Sequence, residues 1–176
     1  MVLRASDLPP GFVVVASETG LRTNRDLVRD QGTRTARKLE RWGRITGYVA
    51  TFKQRDVQKG TLPGVVNFIA TVAVFRTAAG AHAALTDASS PCRRKHMTRI
   101  PLAGHRPVGQ DTLVCGRGLR VRGVRIRLFL VQWRNGRAAG LTGVTALEGA
   151  ATPLTALTAA RRQSRRMSAE LHRGRG

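Results

Sequence analysis

The sequence predicts an α+β fold, in which a mainly antiparallel sheet of about six strands carries packed helices. Strand-like segments follow one another across short loops, the dipeptide Asn135-Gly136 separates two of them, and two segments have apolar residues at helical spacing. A chain of 176 residues suits one domain spanning residues 1–176. We expect its ordered core over about residues 7–171 and a frayed, basic C-terminal tail.

The first half of the chain contains three predicted strands and two predicted helices. The apolar stripe of the first helix ends at Gly43, and Gly32 in its middle favours a break. Thr77 is the predicted N-cap of the second helix. The third strand is apolar on both faces, which is typical of a central strand. The strands cover residues 12–15, 45–52 and 65–75, and the helices cover residues 21–43 and 78–87.

The second half begins with residues 92–110, which show no periodicity and are predicted to form the longest irregular stretch. Asn-Gly between two strand patterns is a strong hairpin signal, because both residues tolerate positive φ. Thr152-Pro153 predicts the start of the last helix. The predicted strands cover residues 111–115, 119–133 and 137–147, with a turn at Gly116–Gly118 after the first of them.

Positive charge dominates the composition, with 31 Lys and Arg against 10 Asp and Glu and a formal net charge of +21. Such a surface attracts polyanions, namely nucleic acid, anionic lipid or acidic glycan. A GC-rich genome explains the preference for arginine over lysine equally well, and no dedicated nucleic-acid motif is present. The candidate polyanion-binding residues are Arg120, Arg122, Arg125, Arg127, Arg161, Arg162, Arg165 and Arg166.

The four arginines between residues 120 and 127 fall on opposite parities of one predicted strand. A β-bulge at Gly123 would return all four to the same face, and we therefore predict one there. Phe129 and Trp133 share that face, and cations beside aromatic rings are typical of single-stranded nucleic acid binding. The alternative is a solvated basic face with both rings buried under a helix.

Cys92 and Cys115 are the only cysteines. They could form one disulfide in an oxidising compartment, but two unpaired buried thiols are the favoured interpretation. Cys92 with His96 or His105 could imitate a catalytic Cys/His pair, and the same residues with Cys115 could be gathered around zinc, but their spacings match no standard pattern.

Asp111, at the start of a predicted strand, is the least ordinary of the thinly scattered carboxylates. It could act as a general acid, although a turn role is favoured. The sequence therefore predicts no catalytic residue, no cofactor and no metal.

No segment approaches the 18 consecutive apolar residues of a membrane-spanning helix. Residues 1–10 contain no apolar signal core, so the residues alone predict a cytoplasmic chain.

Four segments in order, Leu8–Phe12, Trp42–Tyr48, Val74–Ala81 and Gln132–Arg137, resemble a loose group of bacterial envelope proteins of unassigned function, often lipoproteins of actinobacterial type. Those proteins are similar to the PsbP/Mog1-type αβα sandwich, as are the LpqN-like lipoproteins. The resemblance implies an extracytoplasmic or membrane-tethered domain used for binding or as an accessory. It carries over no functional residue.

Three hypotheses follow. The first is a non-enzymatic binding or accessory domain of the bacterial cell envelope. The second is a basic nucleic-acid-binding protein that uses its arginine-rich surface. The third is a hydrolase or isomerase that uses residues 92–115.

Overall fold

The computed structural model describes residues 1–59, 61–94 and 96–173, which form one antiparallel sheet of eight strands with four α-helices. The strands are β1 (Phe12–Val14), β2 (Gly20–Leu21), β3 (Arg44–Gln54), β4 (Val65–Phe75), β5 (Thr98–Arg99), β6 (Gln110–Val121), β7 (Val124–Asn135) and β8 (Ala138–Leu147). The helices are α1 (Asn24–Gln31), α2 (Arg34–Arg41), α3 (Ala78–Thr86) and α4 (Pro153–Arg173).

The strands lie in the order β1-β3-β4-β8-β7-β6-β5, and β2 pairs with β3 farther along the same edge as β1. All pairings are antiparallel, so the predicted α+β fold is confirmed. The sheet has more strands than the predicted six, because the two-residue strands β2 and β5 add to it. Two residues are too few to show an alternating pattern in a sequence.

The predicted helix over residues 21–43 is two helices, α1 and α2, with the break at Gly32. Gly32 has φ 85°, in the left-handed region that favours glycine. The first helix begins with a capping box in which the Thr23 hydroxyl accepts from the Asp26 N–H and the Asp26 carboxylate accepts from the Thr23 N–H. The break that Gly32 indicates therefore occurs, and both helices are short.

The predicted single strand over residues 119–133, with a bulge at Gly123, is wrong. The chain instead reverses at Arg122-Gly123, where Val121 pairs with Val124. Arg122 and Gly123 have φ 48° and 81°, and positive φ at both central residues is what a type I′ hairpin turn requires.

The predicted turn at Gly116–Gly118 is also wrong, since these residues lie inside β6. The irregularity of β6 lies between Gln110 and Leu113, where the register against β7 shifts. The strand that sequence reasoning began at Asp111 is therefore a long strand with a bulge near its start.

The predicted hairpin between β7 and β8 is confirmed, with Asn135 paired to Ala138 and Gly136 at φ 55°. The turn residues are Gly136 and Arg137, one position later than the Asn-Gly pair suggests. The Asn135 amide instead donates to the hydroxyls of Ser164 (2.9 Å) and Ser168 (3.1 Å), which joins the hairpin to α4.

The last helix, α4, starts at Pro153 as predicted and continues through Arg173, so His172 and Arg173 are helical. The rest of the predicted frayed tail, residues 174–176, lies outside the described residues. No helix in the described parts of the chain is long and apolar enough to cross a membrane. At the other end, Leu3 is buried, so the core extends beyond the predicted start at residue 7.

The main core lies between α4 and the sheet. Trp133 and Met167 are fully buried there, and Phe12 packs edge-on against Phe68 with ring centroids 5.0 Å apart. The opposite face of the sheet is covered by α3 and by a 3-10 turn at Pro91–Arg93.

Asp87 directly follows α3 and links α2 to it. Its carboxylate accepts from the Lys38 ammonium (2.9 Å) and from the backbone and hydroxyl of Ser89. Burial by itself raises the pKa of Asp87, but these hydrogen bonds outweigh it and lower the pKa to about 2.

We expect Asp87 to make stability depend on pH in acid. Since the folded pKa lies below the ordinary value, the stabilisation is complete above about pH 4 and is lost as pH falls through about 2. The loss should reach up to about 2 kcal/mol of unfolding free energy. Urea unfolding at several pH values checks this, and Asp87→Asn should flatten that part of the curve. A variant with an unchanged acid slope would contradict it.

Candidate functional site

An apolar groove of about 590 Å³ lies on the α4 side of the sheet, over β3 and β4, whereas α4 packs mainly over β7 and β8. Ala50, Phe52 and Val72 form its buried floor. Thr46, Tyr48, Ala50 and Phe52 alternate along β3 and therefore share this face. The groove exists because α4 leaves this part of the face uncovered.

One wall of the groove is the N-terminal segment Met1–Ala5, and the other is the edge formed by β1 and β2. Three large side chains in or beside this edge are exposed although they belong to an apolar surface: Val14 of β1 at 48%, Leu21 of β2 at 62% and Tyr48 of β3 at 37%. Arg4 is the charged residue among the described residues that line the groove. An apolar groove with a cationic side chain at its wall fits a ligand with an apolar chain and an acidic end.

Asp7 holds the N-terminal segment against α4. Its carboxylate accepts from Arg166 through both oxygens (2.7 and 2.8 Å) and from the Arg4 N–H (2.7 Å). Burial raises the pKa of Asp7, but the hydrogen bonds from Arg166 and Arg4 outweigh it and hold the pKa below its usual range. This ion pair fixes one wall of the groove.

Three of the four α4 arginines that the sequence assigned to a polyanion surface have partners within the chain. Arg166 is paired with Asp7, Arg162 donates to the Asp7 carbonyl, and Arg161 donates to the Arg106 carbonyl (3.0 Å). Arg165 is exposed and has no carboxylate partner in the described part of the chain. Helix α4 therefore uses most of its arginines to hold neighbouring segments.

The arginines of the β6–β7 hairpin form a separate basic patch. Arg120 and Arg125 are direct cross-strand partners, and Arg127 is two residues farther along the same face. Arg122 lies in the turn. Glu148 contacts Arg125 and Arg127 at 3.3 Å each, in exposed ion pairs of the kind that contribute about 0–1 kcal/mol.

The aromatic residues predicted beside these arginines do not form a stacking surface. Trp133 is fully buried beneath α4, and Phe129 is partly buried and packs against the main core. The predicted arginine–aromatic surface, which favoured single-stranded nucleic acid, is therefore wrong. One end of this strand face carries the arginines, and the other end is buried in the main core.

Cys92 and Cys115 form a disulfide, with Cα atoms 5.4 Å apart, so the favoured expectation of two free thiols is wrong. Cys92 lies in the 3-10 turn and Cys115 in β6. Gln132 of β7 fixes the turn over the sheet, because its side-chain oxygen accepts from the Ser90 hydroxyl (2.7 Å) and from the Cys92 N–H (3.0 Å).

The disulfide also argues against a catalytic Cys/His pair and against a zinc site in residues 92–115. Bonded sulfurs are neither nucleophiles nor thiolate ligands, and His96 and His105 are exposed. Within the described residues, no group of three or more His, Cys, Asp or Glu side chains could hold a metal ion.

Asp111 lies in a cluster that sequence reasoning missed. Its carboxylate contacts His82 Nδ1 and accepts from Arg134 Nε, each at 2.8 Å. These hydrogen bonds lower its pKa against the opposing effect of partial burial. A carboxyl group with a lowered pKa is ionised at neutral pH, so Asp111 is unsuited to act as a general acid.

The backbone of Asp111 has φ 55° in the β6 bulge, and the sequence shows this position only as an aspartate near the start of a strand. Aspartate tolerates this conformation better than most residues. The cluster joins α3 to the sheet, and its three groups satisfy one another.

No family model matches this chain, and no curated protein matches it by sequence. A crystal structure of a protein from Bacteroides thetaiotaomicron VPI-5482 is similar over 63% of this chain, at 11% identity and a TM-score of 0.41. The match spans about a third (35%) of that protein's length. The resemblance to the PsbP/Mog1-type sandwich stays a prediction.

Proposed function

We propose that this chain is a non-enzymatic binding domain of the bacterial cell envelope, and that it holds an acyl-chain-like ligand with an acidic end in the groove over β3 and β4. The observation that carries the proposal is the groove itself, an apolar concavity with exposed aliphatic and aromatic side chains at one edge.

The size and chemistry of the groove support a small amphipathic ligand. Ligand sites commonly occupy roughly 300–1,000 Å³ and are mostly apolar with a few polar groups. Burial of the exposed parts of Val14, Leu21 and Tyr48 by an acyl chain would remove apolar surface from water, which is favourable. Arg4 at the wall and the formal charge of +21 both favour a negative headgroup.

The disulfide supports an extracytoplasmic location. Structural disulfides persist in oxidising compartments and are rare in the cytosol of mesophiles. Cys92 and Cys115 are both buried, which favours a structural role over a regulatory one.

Binding of a dansyl-labelled fatty acid, followed by fluorescence, tests the groove. We expect saturable binding that weakens at least about tenfold in Leu21→Glu and in Tyr48→Glu, because each places a carboxylate beside the acidic ligand. Arg4→Gln should weaken the acid by about three- to tenfold and leave its uncharged methyl ester unaffected.

Ile45→Glu is the matched control, since Ile45 is 49% exposed on β3 but does not line the groove. It should bind within about twofold of the unsubstituted chain. Absence of saturable binding, or equal weakening by Ile45→Glu and Leu21→Glu, would remove the groove as the site.

A nucleic-acid function is the weaker proposal. Its specific support was the arginine–aromatic surface, and Trp133 is buried. The net charge is then its remaining argument, and charge alone produces weak, strongly salt-dependent binding.

A further inference from the structure

We propose that the end of the β6–β7 hairpin docks this protein onto an anionic lipid surface, with Val121 and Val124 entering the headgroup region and the surrounding arginines binding lipid phosphates. The inference is independent of the groove, which lies over β3 and β4.

The hairpin end is a corner of the sheet with little cover. On the outer side, β5 pairs with β6 at Gly116 and Cys115, which lie away from the turn. On the other side, the pairing of β8 with β7 begins at Ile126, with one further hydrogen bond from Glu148 to Arg125. Val121 and Val124 therefore end up 51% and 49% exposed.

Alternation along the two strands gives this corner one apolar and one basic face. Leu119 pairs with Ile126 and Val121 pairs with Val124, so these four aliphatic side chains share a face. Arg120, Arg125 and Arg127 occupy the opposite face, and Arg122 lies between the two at the tip.

The pairing of Arg120 directly against Arg125 is a second, independent indication of an anionic ligand. Like charges directly opposite in an antiparallel pair destabilise the sheet. Glu148 contacts Arg125 and Arg127, whereas Arg120 has no carboxylate partner in the residues that the structure describes. A phosphate bound between the two arginine side chains would relieve the repulsion between their charges.

A lipid surface fits this combination better than nucleic acid does. Phosphodiester contacts would use the arginines but not two exposed valines at the tip, and the hairpin end has no exposed aromatic ring for base stacking. The boundary between headgroups and acyl chains accepts aliphatic side chains and phosphate-binding cations together. The long arginine side chains can reach the phosphates from either face of the hairpin.

Flotation of the full chain with vesicles tests the proposal, using phosphatidylcholine alone or with about one third phosphatidylglycerol. We expect binding to the anionic vesicles and not to the neutral ones. Each arginine near an anionic surface strengthens binding about fivefold, so Arg120→Gln with Arg125→Gln should weaken it at least tenfold. This double variant should fold about as stably as the unsubstituted chain, because it removes the like-charge pair together with one exposed Arg125–Glu148 ion pair.

Arg25→Gln with Arg37→Gln is the matched control, because it removes the same charge from exposed positions on α1 and α2. It should weaken binding less than about threefold. Equal losses in the two double variants would show diffuse attraction to the whole surface and would overturn the proposal.

Val121→Thr with Val124→Thr separates lipid from other polyanions. These replacements keep the shape and strand preference of valine, and we expect them to weaken vesicle binding about three- to tenfold. They should leave binding to single-stranded DNA unchanged, and Ile45→Thr should affect neither. Unchanged vesicle binding in the threonine variant, or preferential binding of DNA over vesicles through Arg120 and Arg125, would contradict a lipid-docking role.

Discussion

Reduction of the Cys92–Cys115 disulfide is expected to lower the free energy of unfolding by about 3 kcal/mol, because the bond closes a loop with a sequence separation of 23 residues in the unfolded chain. The loop includes the region that sequence reasoning found to be the longest irregular stretch. Guanidinium unfolding of the oxidised and reduced chain measures the difference, with a correspondingly lower denaturation midpoint for the reduced chain.

Comparison of two redox states avoids the cavity that an alanine would leave at buried Cys115. Cys92→Ala with Cys115→Ala supplies the control, since its stability should not respond to reductant. Identical midpoints for the oxidised and reduced chain would mean that the bond does not constrain the unfolded state.

Trp133→Ala is expected to be the most destabilising single substitution, with a loss of about 3–5 kcal/mol. Trp133 is fully buried between α4 and β8, and a Cβ added to Gly140 would lie 2.6 Å from its Cε2 and 2.9 Å from the Met167 sulfur. The space is closely filled on both sides, so loss of the indole leaves a cavity that the surroundings cannot easily close. Thermal and denaturant unfolding measure the loss.

Trp133→Phe is the matched control for the cavity argument. It keeps most of the ring and removes the indole N–H, which is buried without a hydrogen-bond partner among the described residues. An unpaired buried donor is unfavourable, so its removal offsets part of the lost packing. We expect a cost below about 2 kcal/mol, and a phenylalanine variant as unstable as the alanine variant would contradict the cavity explanation.

The arginines have more than one structural role, so the large positive charge does not all serve the same purpose. Arg44 is buried and binds the Asn24 side chain (2.6 Å) and the Arg22 carbonyl (2.8 Å), while burial lowers its pKa to about 10. Arg134 and Arg166 are held by Asp111 and Asp7. The hairpin arginines differ from these, because they face solvent and repel one another.

Several parts of the fold were predictable because their signals are local. Thr152-Pro153 marks the start of α4, Thr77 caps α3 through its hydroxyl, and the apolar run of β4 forms a central strand. The turn after Asn135 was also predictable from a local signal, since Gly136 supplies the positive φ that the turn requires. Each of these depends on residues within a few positions of one another.

The turn at Arg122-Gly123 was not predictable in this way. Arginine rarely adopts positive φ, and it does so here because pairing of residues 110–121 with residues 124–135 holds the turn closed. One long strand and two paired strands produce the same pattern of alternating aliphatic and basic residues. The pattern therefore did not indicate the hairpin or its like-charge pair.

The residues alone predict the fold class, the central strand, the starts of α3 and α4 and a strongly basic surface, because backbone preference and charge belong to individual residues and their neighbours. The disulfide, the burial of Trp133, the cluster at Asp111 and the groove beside β3 follow from tertiary contacts. Each of these depends on which distant segments meet, and Val14, Leu21 and Tyr48 line the groove as exposed apolar side chains.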